Sequence, residues 1–335
     1  MPALTRLVAQ LPASLPAAVL VVLHLSAGHR SALPEILSRA GPLVAVHPKP
    51  NEPLEPGRIY VAPEDRHLLV EPGHVLVNAG PRENGHRPAV DPLFRSAARA
   101  YGPRVIGVVL TGALDCGTSG LLAIKAQGGL AVVQDPADAF CPDMPRSALE
   151  FVKVDHTVKL RDMGALLEEL VAAVLLPRLE VPEPSARLQK EVAVMEKSGG
   201  VHSDPHDVGS PSLFSCPDCG GVLFEMDEQG LLRYRCRVGH GFTAKALSVN
   251  QQTALDGALW AALRALEESA SLSRRMAARA RERNHHQTAH RYAERAQATE
   301  EQAALVRRLV LHGTSTLPPD EPEEPEDTSV VRVIK

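Results

Sequence analysis

Apolar residues recur along the chain with two periods, and the period changes where one element gives way to the next. Leu4, Leu7, Val8 and Leu11 fall on one helical face, and Pro12 ends that helix. Residues 18–24, AVLVVLH, form a continuous run rich in β-branched side chains, the pattern of a parallel strand buried on both faces. A helix is predicted near residues 31–39. Short strands are predicted over Leu43–Val46, Arg58–Ala62, His67–Val70 and Val75–Asn78, with Glu71-Pro-Gly-His74 as a hairpin turn between the last two. Asp91–Tyr101 reads as a helix, residues 105–110 (VIGVVL) as a buried strand and Leu121–Ala126 as a helix. Residues 130–134 (LAVVQ) read as a strand and Met163–Leu176 as an amphipathic helix. This alternation predicts an α/β fold: a doubly wound parallel sheet with helices on both faces.

The pattern then breaks. Residues 177–212 are rich in Pro, Ser, His and charge, and read mostly as linker. A compact cysteine-bearing module follows. After it come two long helical stretches near 249–283 and 287–311. In the second, Tyr292, Ala296, Thr299, Ala303, Val306 and Val310 alternate by four and three, the spacing of a helical hairpin or coiled coil. The segment PPDEPEEPED is acidic, proline-rich and expected to be disordered. The expected organisation is an α/β domain at 1–176, a linker at 177–212, a zinc ribbon at 213–246, a helical hairpin at 247–312 and a disordered acidic tail at 313–335.

Composition refines this picture. Aromatics are 3% of the 335 residues against 44% hydrophobic, so the core must be aliphatic. A net charge of −4 gives no general attraction to nucleic acid. The longest apolar run, Leu15 to Leu25, contains Pro16 and His24 and is too short to cross a bilayer, so no membrane insertion is expected. Three of the five cysteines cluster, which suits a metal site in a reducing, cytoplasmic setting better than a disulfide framework.

Those three cysteines read Cys216-Pro-Asp-Cys219, then Cys236-Arg-Val-Gly-His240. One pair is Cys-x2-Cys and the other Cys-x3-His, with sixteen residues between. This is ligand spacing for a tetrahedral Cys3His zinc site, and four protein ligands make it structural, with no open position for catalysis. Val222–Phe224 and Leu231–Tyr234 between the pairs look like a hairpin. Arg233, Arg235, Arg237 and Lys245 are matched by Asp218, Glu225, Asp227 and Glu228, leaving no basic stripe for a phosphate backbone. A protein partner is expected for the module, and nucleic acid is not.

Two places carry candidate catalytic chemistry. His24 ends a buried strand, and ligands of open α/β sheets bind at the carboxyl ends of strands. It reads either as a general base or as a hydrogen-bonded structural histidine. The loop Thr111-Gly-Ala-Leu-Asp-Cys-Gly117 lies at another strand's carboxyl end, with Asp115 and Cys116 between two permissive glycines. His86, Arg87, Asp91 and Arg95 form a polar cluster around a helix start, read either as capping and surface charge or as part of a cleft.

Four segments tie these places together: Val21-Val-Leu-His-Leu25, Gly85-His-Arg-Pro-Ala-Val-Asp-Pro-Leu-Phe-Arg-Ser96, Gly107-Val-Val-Leu-Thr-Gly-Ala-Leu-Asp-Cys-Gly117 and Met144-Pro-Arg-Ser-Ala148. In this order they resemble motifs of the CheB-type protein-glutamate methylesterases, over roughly residues 1–172. The resemblance implies a Ser-His-Asp triad on a doubly wound α/β fold, with no catalytic metal. It also implies hydrolysis of glutamate γ-methyl esters on chemoreceptor or similar signalling helices, and glutamine deamidation in some members.

By the resemblance, His24 matches the triad histidine, and the backbone near Ala113 falls where part of the oxyanion hole lies. Arg87 and Asp91 fall near the cleft. Cys116 stands at the position of the triad aspartate, and Asp115, one residue earlier, is its candidate substitute. Met1-Pro-Ala-Leu-Thr resembles the helix that follows the nucleophile turn. The serine, its glycines and the strand before them are therefore expected upstream of Met1, as an N-terminally truncated copy would have it. Such a chain is expected to be an impaired esterase of low stability with an exposed sheet interior. The alternative is a catalytically inactive signalling protein that binds receptor or partner helices.

Overall fold

The computed structural model describes residues 1–24, 31–175, 181–196 and 209–312. The acidic tail and parts of the proposed linker lie outside the described residues. The chain divides into two compact units, Met1–Asn250 and Gln251–Lys335.

In the first unit, α1 (Pro2–Val8), β1 (Val19–Val21), α2 (Leu33–Ala40), β2 (Val44–Val46) and β3 (Arg58–Val61) are followed by a hairpin of β4 (His67–Glu71) and β5 (His74–Asn78). Then come α3 (Val90–Tyr101), β6 (Ile106–Val109), α4 (Thr118–Ala126), β7 (Leu130–Gln134), α5 (Asp143–Phe151), β8 (His156–Val158), α6 (Leu160–Leu175) and α7 (Ala186–Glu196). The α/β class holds, with one difference from the expected single sheet. Among the described residues the parallel strands form two three-stranded sheets, β1-β3-β2 and β6-β7-β8.

The middle strands carry the burial. Ile59, Tyr60 and Val61 of β3, and Ala131, Val132 and Val133 of β7, are fully enclosed. The strands hydrogen-bonded on one side only are less covered. Val19 and Leu20 of β1 and Ile106 and Val108 of β6 are half-buried. A parallel strand gains full cover only when neighbours and helices close around it. The apolar runs of β1 and β6 resemble those of β3 and β7, so pattern alone could not separate edge from centre.

Helix α5, strand β8 and helix α7 are additions to the pattern reading. α7 corrects the assignment of 177–212 as mostly linker. Leu188, Val192 and Met195 are buried at helical spacing, the first two in a core shared with Leu121, Ile124 and Leu231. With few apolar residues and the charged Glu191 also buried, the segment reads as polar although it packs as a helix.

A four-stranded antiparallel sheet completes the unit, in the order β12-β11-β10-β9, from β9 (Ser210–Ser215), β10 (Val222–Glu228), β11 (Leu231–Cys236) and β12 (Gly241–Thr243). Its core is Leu223, Tyr234, Phe242 and Leu247. α8 (Ala244–Glu282) and α9 (His286–His312) follow. In the second unit Ala270, Ala277, Ala289, Ala296 and Ala303 are buried at seven-residue intervals along each helix, and Arg274–Glu300 and Arg307–Glu267 ion pairs link the two helices. Among the described residues no helix is long and apolar enough to cross a membrane.

Candidate functional site

Three distant segments meet beyond the carboxyl ends of β1 and β6. His24 lies three residues past β1. Cys116 lies in the loop after β6, which is bent by left-handed backbone at Leu114 (φ 62°) and Gly117 (φ 98°) so that α4 can start at once. His24 Nε2 is 3.3 Å from Cys116 Sγ. The same sulfur accepts the Val90 backbone N–H at 3.3 Å. The His24 ring stacks on His86, with centroids 4.1 Å apart and planes within 11°.

This environment discharges both partners. Burial, helped by the neighbouring His86, lowers the His24 pKa to about 4. Burial first, then the Asp91 carboxylate, pushes the Cys116 thiol well above its ordinary range. At neutral pH the pair is therefore imidazole and thiol, not imidazolium and thiolate. A cysteine in this state is inert as a nucleophile. Among the described residues no hydroxyl hydrogen-bonds to His24; Ser26 lies outside them.

Asp115 faces elsewhere. Its Oδ1 accepts the Thr243 hydroxyl at 2.8 Å, and burial, tempered by that bond, raises its pKa to about 6. Thr243 N–H donates to Asn84 Oδ1 at 2.9 Å, and Asn84 Nδ2 donates to Asp91 Oδ2 at 3.2 Å. Asp91 is buried and also accepts the Gly120 N–H at 2.7 Å, which ties α3 to the start of α4. Arg87 donates to Asp65 Oδ1 through Nε and Nη2, and to the Ala79 and Gly80 carbonyls through Nη1. Arg87 and Asp91 are thus engaged in holding loops and helices. Ala113 is exposed, and the turn before it is pinned by Gly112 N–H to Cys141 O and by Met144 N–H to Gly112 O.

Sequence reading missed a buried ionic seam beside this site. Arg233 of β11 donates to Glu228 at 2.6 Å and to Glu83 and Glu191 at 3.1 Å. Arg235 reaches Glu83 Oε2 at 3.1 Å, and Arg95 of α3 reaches Glu83 at 2.8 Å. The three arginines are at most 2% exposed and face three carboxylates. Burial alone would raise Glu83, but Arg235, Arg95 and Arg233 outweigh it and hold its pKa near 2. The signal was present as Arg233-x-Arg235 on a strand whose other face carries Tyr234 and Cys236: both faces of β11 are buried. Of the module's arginines, Arg233 and Arg235 are enclosed and unavailable to a phosphate backbone, whereas Arg237 is exposed.

The four sequence-chosen metal ligands converge. The donor atoms of Cys216, Cys219, Cys236 and His240 all lie within 4.8 Å of one another. Cys216 Sγ and Cys236 Sγ are each 3.6 Å from His240 Nδ1, and Cys219 Sγ is 3.7 Å from Cys236 Sγ. Zn–S bonds of about 2.3 Å and Zn–N bonds of about 2.0–2.1 Å at tetrahedral angles put sulfurs about 3.8 Å apart and sulfur about 3.6 Å from nitrogen. The donor set and its spacing fit such an ion, while all five cysteines are free of disulfide bonds. Gly220 (φ 72°) and Gly239 (φ 108°) shape the two ligand turns.

Comparison with known proteins covers the first half of the chain. The CheB methylesterase family profile matches residues 1–167. A Myxococcus xanthus protein-glutamate methylesterase/protein-glutamine glutaminase is 39% identical over 166 residues, 49% of this chain and 47% of that one. A Leptospira interrogans relative, provisionally named for the same two activities, is 36% identical over 169 residues, 50% of this chain and 88% of its own length. The crystal structure of the Thermotoga maritima CheB methylesterase catalytic domain aligns with TM-score 0.49 and 30% identity, over 51% of this chain and 92% of that one. The chain spans about half the length of several of these curated relatives. The family match ends before α7, the four-stranded sheet and the two long helices.

Proposed function

The chain belongs to the CheB methylesterase family, and on that premise we propose that its first half is a protein-glutamate methylesterase domain centred on His24, with hydrolysis impaired by the thiol of Cys116. The observation that carries this reading is the 3.3 Å approach of His24 Nε2 to Cys116 Sγ. In a Ser-His-Asp site the carboxylate fixes the imidazole tautomer and stabilises the imidazolium formed when serine gives up its proton. Cys116 is neutral and supplies no such charge. His24, with its pKa lowered to about 4, is a poor proton acceptor at neutral pH. Loss of the carboxylate's role lowers turnover by about four orders of magnitude in a comparable triad.

The substrate class is the γ-methyl ester of glutamate on chemoreceptor-type signalling helices. The four-stranded sheet is read as a zinc ribbon with a structural Zn²⁺ on Cys216, Cys219, Cys236 and His240, and α8 with α9 as a helical hairpin that meets a protein partner. Reduced ligand thiols fit a cytoplasmic chain. The neutral pair also supports a second reading: an inactive relative that binds signalling helices without cleaving their esters.

Methanol release from methyl-esterified receptor helices tests the proposal. Purified 1–335 is expected to release methanol at no more than a trace rate, unchanged by His24→Ala for the inactive reading and lowered by it for the impaired one. Release at a rate typical of an intact triad would overturn both.

A further inference from the structure

We propose that the Cys3His sheet is a metal-held wall of the His24 site: the bound ion fixes β12, and β12 keeps the Asp115–Cys116 loop closed. This rests on the metal reading above and adds to it a consequence for the first half of the chain.

The connection is short and continuous. Ligand His240 is followed directly by Gly241, the first residue of β12. β12 pairs with β11, which ends in ligand Cys236. Just past the ligand turn, β12 hydrogen-bonds to the loop that carries His86. Gly241 N–H donates to Arg82 O at 3.1 Å, and Asn84 N–H donates to Gly241 O at 2.7 Å. Thr243 then binds Asn84 through its N–H and Asp115 through its hydroxyl. Cys116, next to Asp115, touches His24, and His86, two residues from Asn84, stacks on His24. Arg235 reinforces the joint by bonding both Glu83 and the carbonyl of Gly239, inside the Cys236–His240 turn.

The joint is also sterically closed. A Cβ on Gly239 would come within 2.7 Å of Pro81 and Val194, and one on Gly241 within 2.4 Å of Glu83. The ligands sit on two turns of a small sheet, where the ion would be the principal cross-link. Removing it frees both turns, and with them the start of β12. Asp115 then loses the Thr243 hydroxyl, and its loop opens while the sheet behind stays folded.

The test uses the whole chain, loaded with zinc or stripped by a chelator, with alkylation by N-ethylmaleimide mapped cysteine by cysteine. In the loaded chain Cys116 is expected to react slowly. Stripping is expected to raise its rate by roughly tenfold or more, as an inert buried thiol becomes exposed. Amide exchange should rise at 82–86 and 113–118 while β7 stays protected, and added zinc should reverse both changes. Thr243→Val is expected to keep the zinc yet expose Cys116, and Thr243→Ser to restore the protection.

Zinc removal that leaves Cys116 protected, or opens β7 along with it, overturns the inference. So does a Thr243→Val chain that holds zinc with Cys116 still protected. A chain that binds no zinc overturns the metal reading and this inference together, whereas zinc bound without effect on Cys116 overturns the inference alone.

Discussion

The Cys3His cluster and the His24 cluster are built by opposite routes. The first takes four ligands from two tight turns of one small sheet, Cys216 to His240. The second takes His24, His86 and Cys116 from three loops that only the folded first unit brings together. One is a complete donor set whose chemistry follows from spacing. The other, proposed as the catalytic site, shows among the described residues a neutral thiol and a second imidazole beside His24. A local motif carries its function with it; a dispersed constellation can keep its shape after one residue has changed its chemistry.

The largest effect that would break this contrast falls on the metal side. Cys219→Ser is expected to abolish stoichiometric zinc binding, measured by metal analysis of the purified chain, because structural zinc contributes on the order of 10 kcal/mol in small metal-folded modules. Full zinc content in that variant would make the cluster something other than a four-ligand site.

The next falls on the seam between the two. Glu83→Gln is expected to lower unfolding free energy by about 3–5 kcal/mol in chemical denaturation, since Arg95, Arg233 and Arg235 stay buried with a partner charge removed. A change below about 1 kcal/mol would mean that the seam is wet or rearranges freely.

The effect of pH is smaller. The folded pKa values of His24 and His67 are about 4, below the ordinary 6.5, so the unfolded chain takes up protons first. Stability from these groups is full above pH 6.5 and is lost as pH falls toward 4. Asp115, raised to about 6, works in the opposite direction over much of that window. Relative to His24→Gln, the wild-type chain is expected to lose about 1–3 kcal/mol between pH 7 and pH 4.5. A difference that does not vary with pH would place His24 in water.

The smallest effect belongs to the ring stack. His86→Ala is expected to cost about 0.5–1.5 kcal/mol beyond lost area, and to raise the His24 pKa slightly by removing a nearby cation.

The two sites also differ in how far the sequence revealed them. The ligand turns were legible because Cys-x2-Cys and Cys-x3-His constrain the chain over a few residues. His24 and Cys116 could be named from their strand ends and from the family motifs, and the structure brings them together. Arg87 and Asp91 read either as capping and surface charge or as part of a cleft, and the partners of their side chains, Asp65, Asn84 and Gly120, carry no sequence signal. Thr243 and Asn84 went unnoticed, because a hydroxyl at a strand end and an asparagine in a loop carry no period. α7 was hidden for a related reason: a helix that buries Glu191 against arginines from other elements looks solvated until those partners are known. In the α/β half the strands other than β8 were legible from their apolar runs, but their division into two sheets was not, since pairing is a long-range property.

The most direct test is an NMR titration of the His24 ring in the wild-type chain and in Cys116→Asp. A buried imidazole facing a neutral thiol is expected to titrate near pH 4, and a carboxylate at 116 to raise that value by about one unit or more. A wild-type His24 that titrates at 6.5 or above, or one indifferent to Cys116→Asp, would contradict the thiol-blocked site.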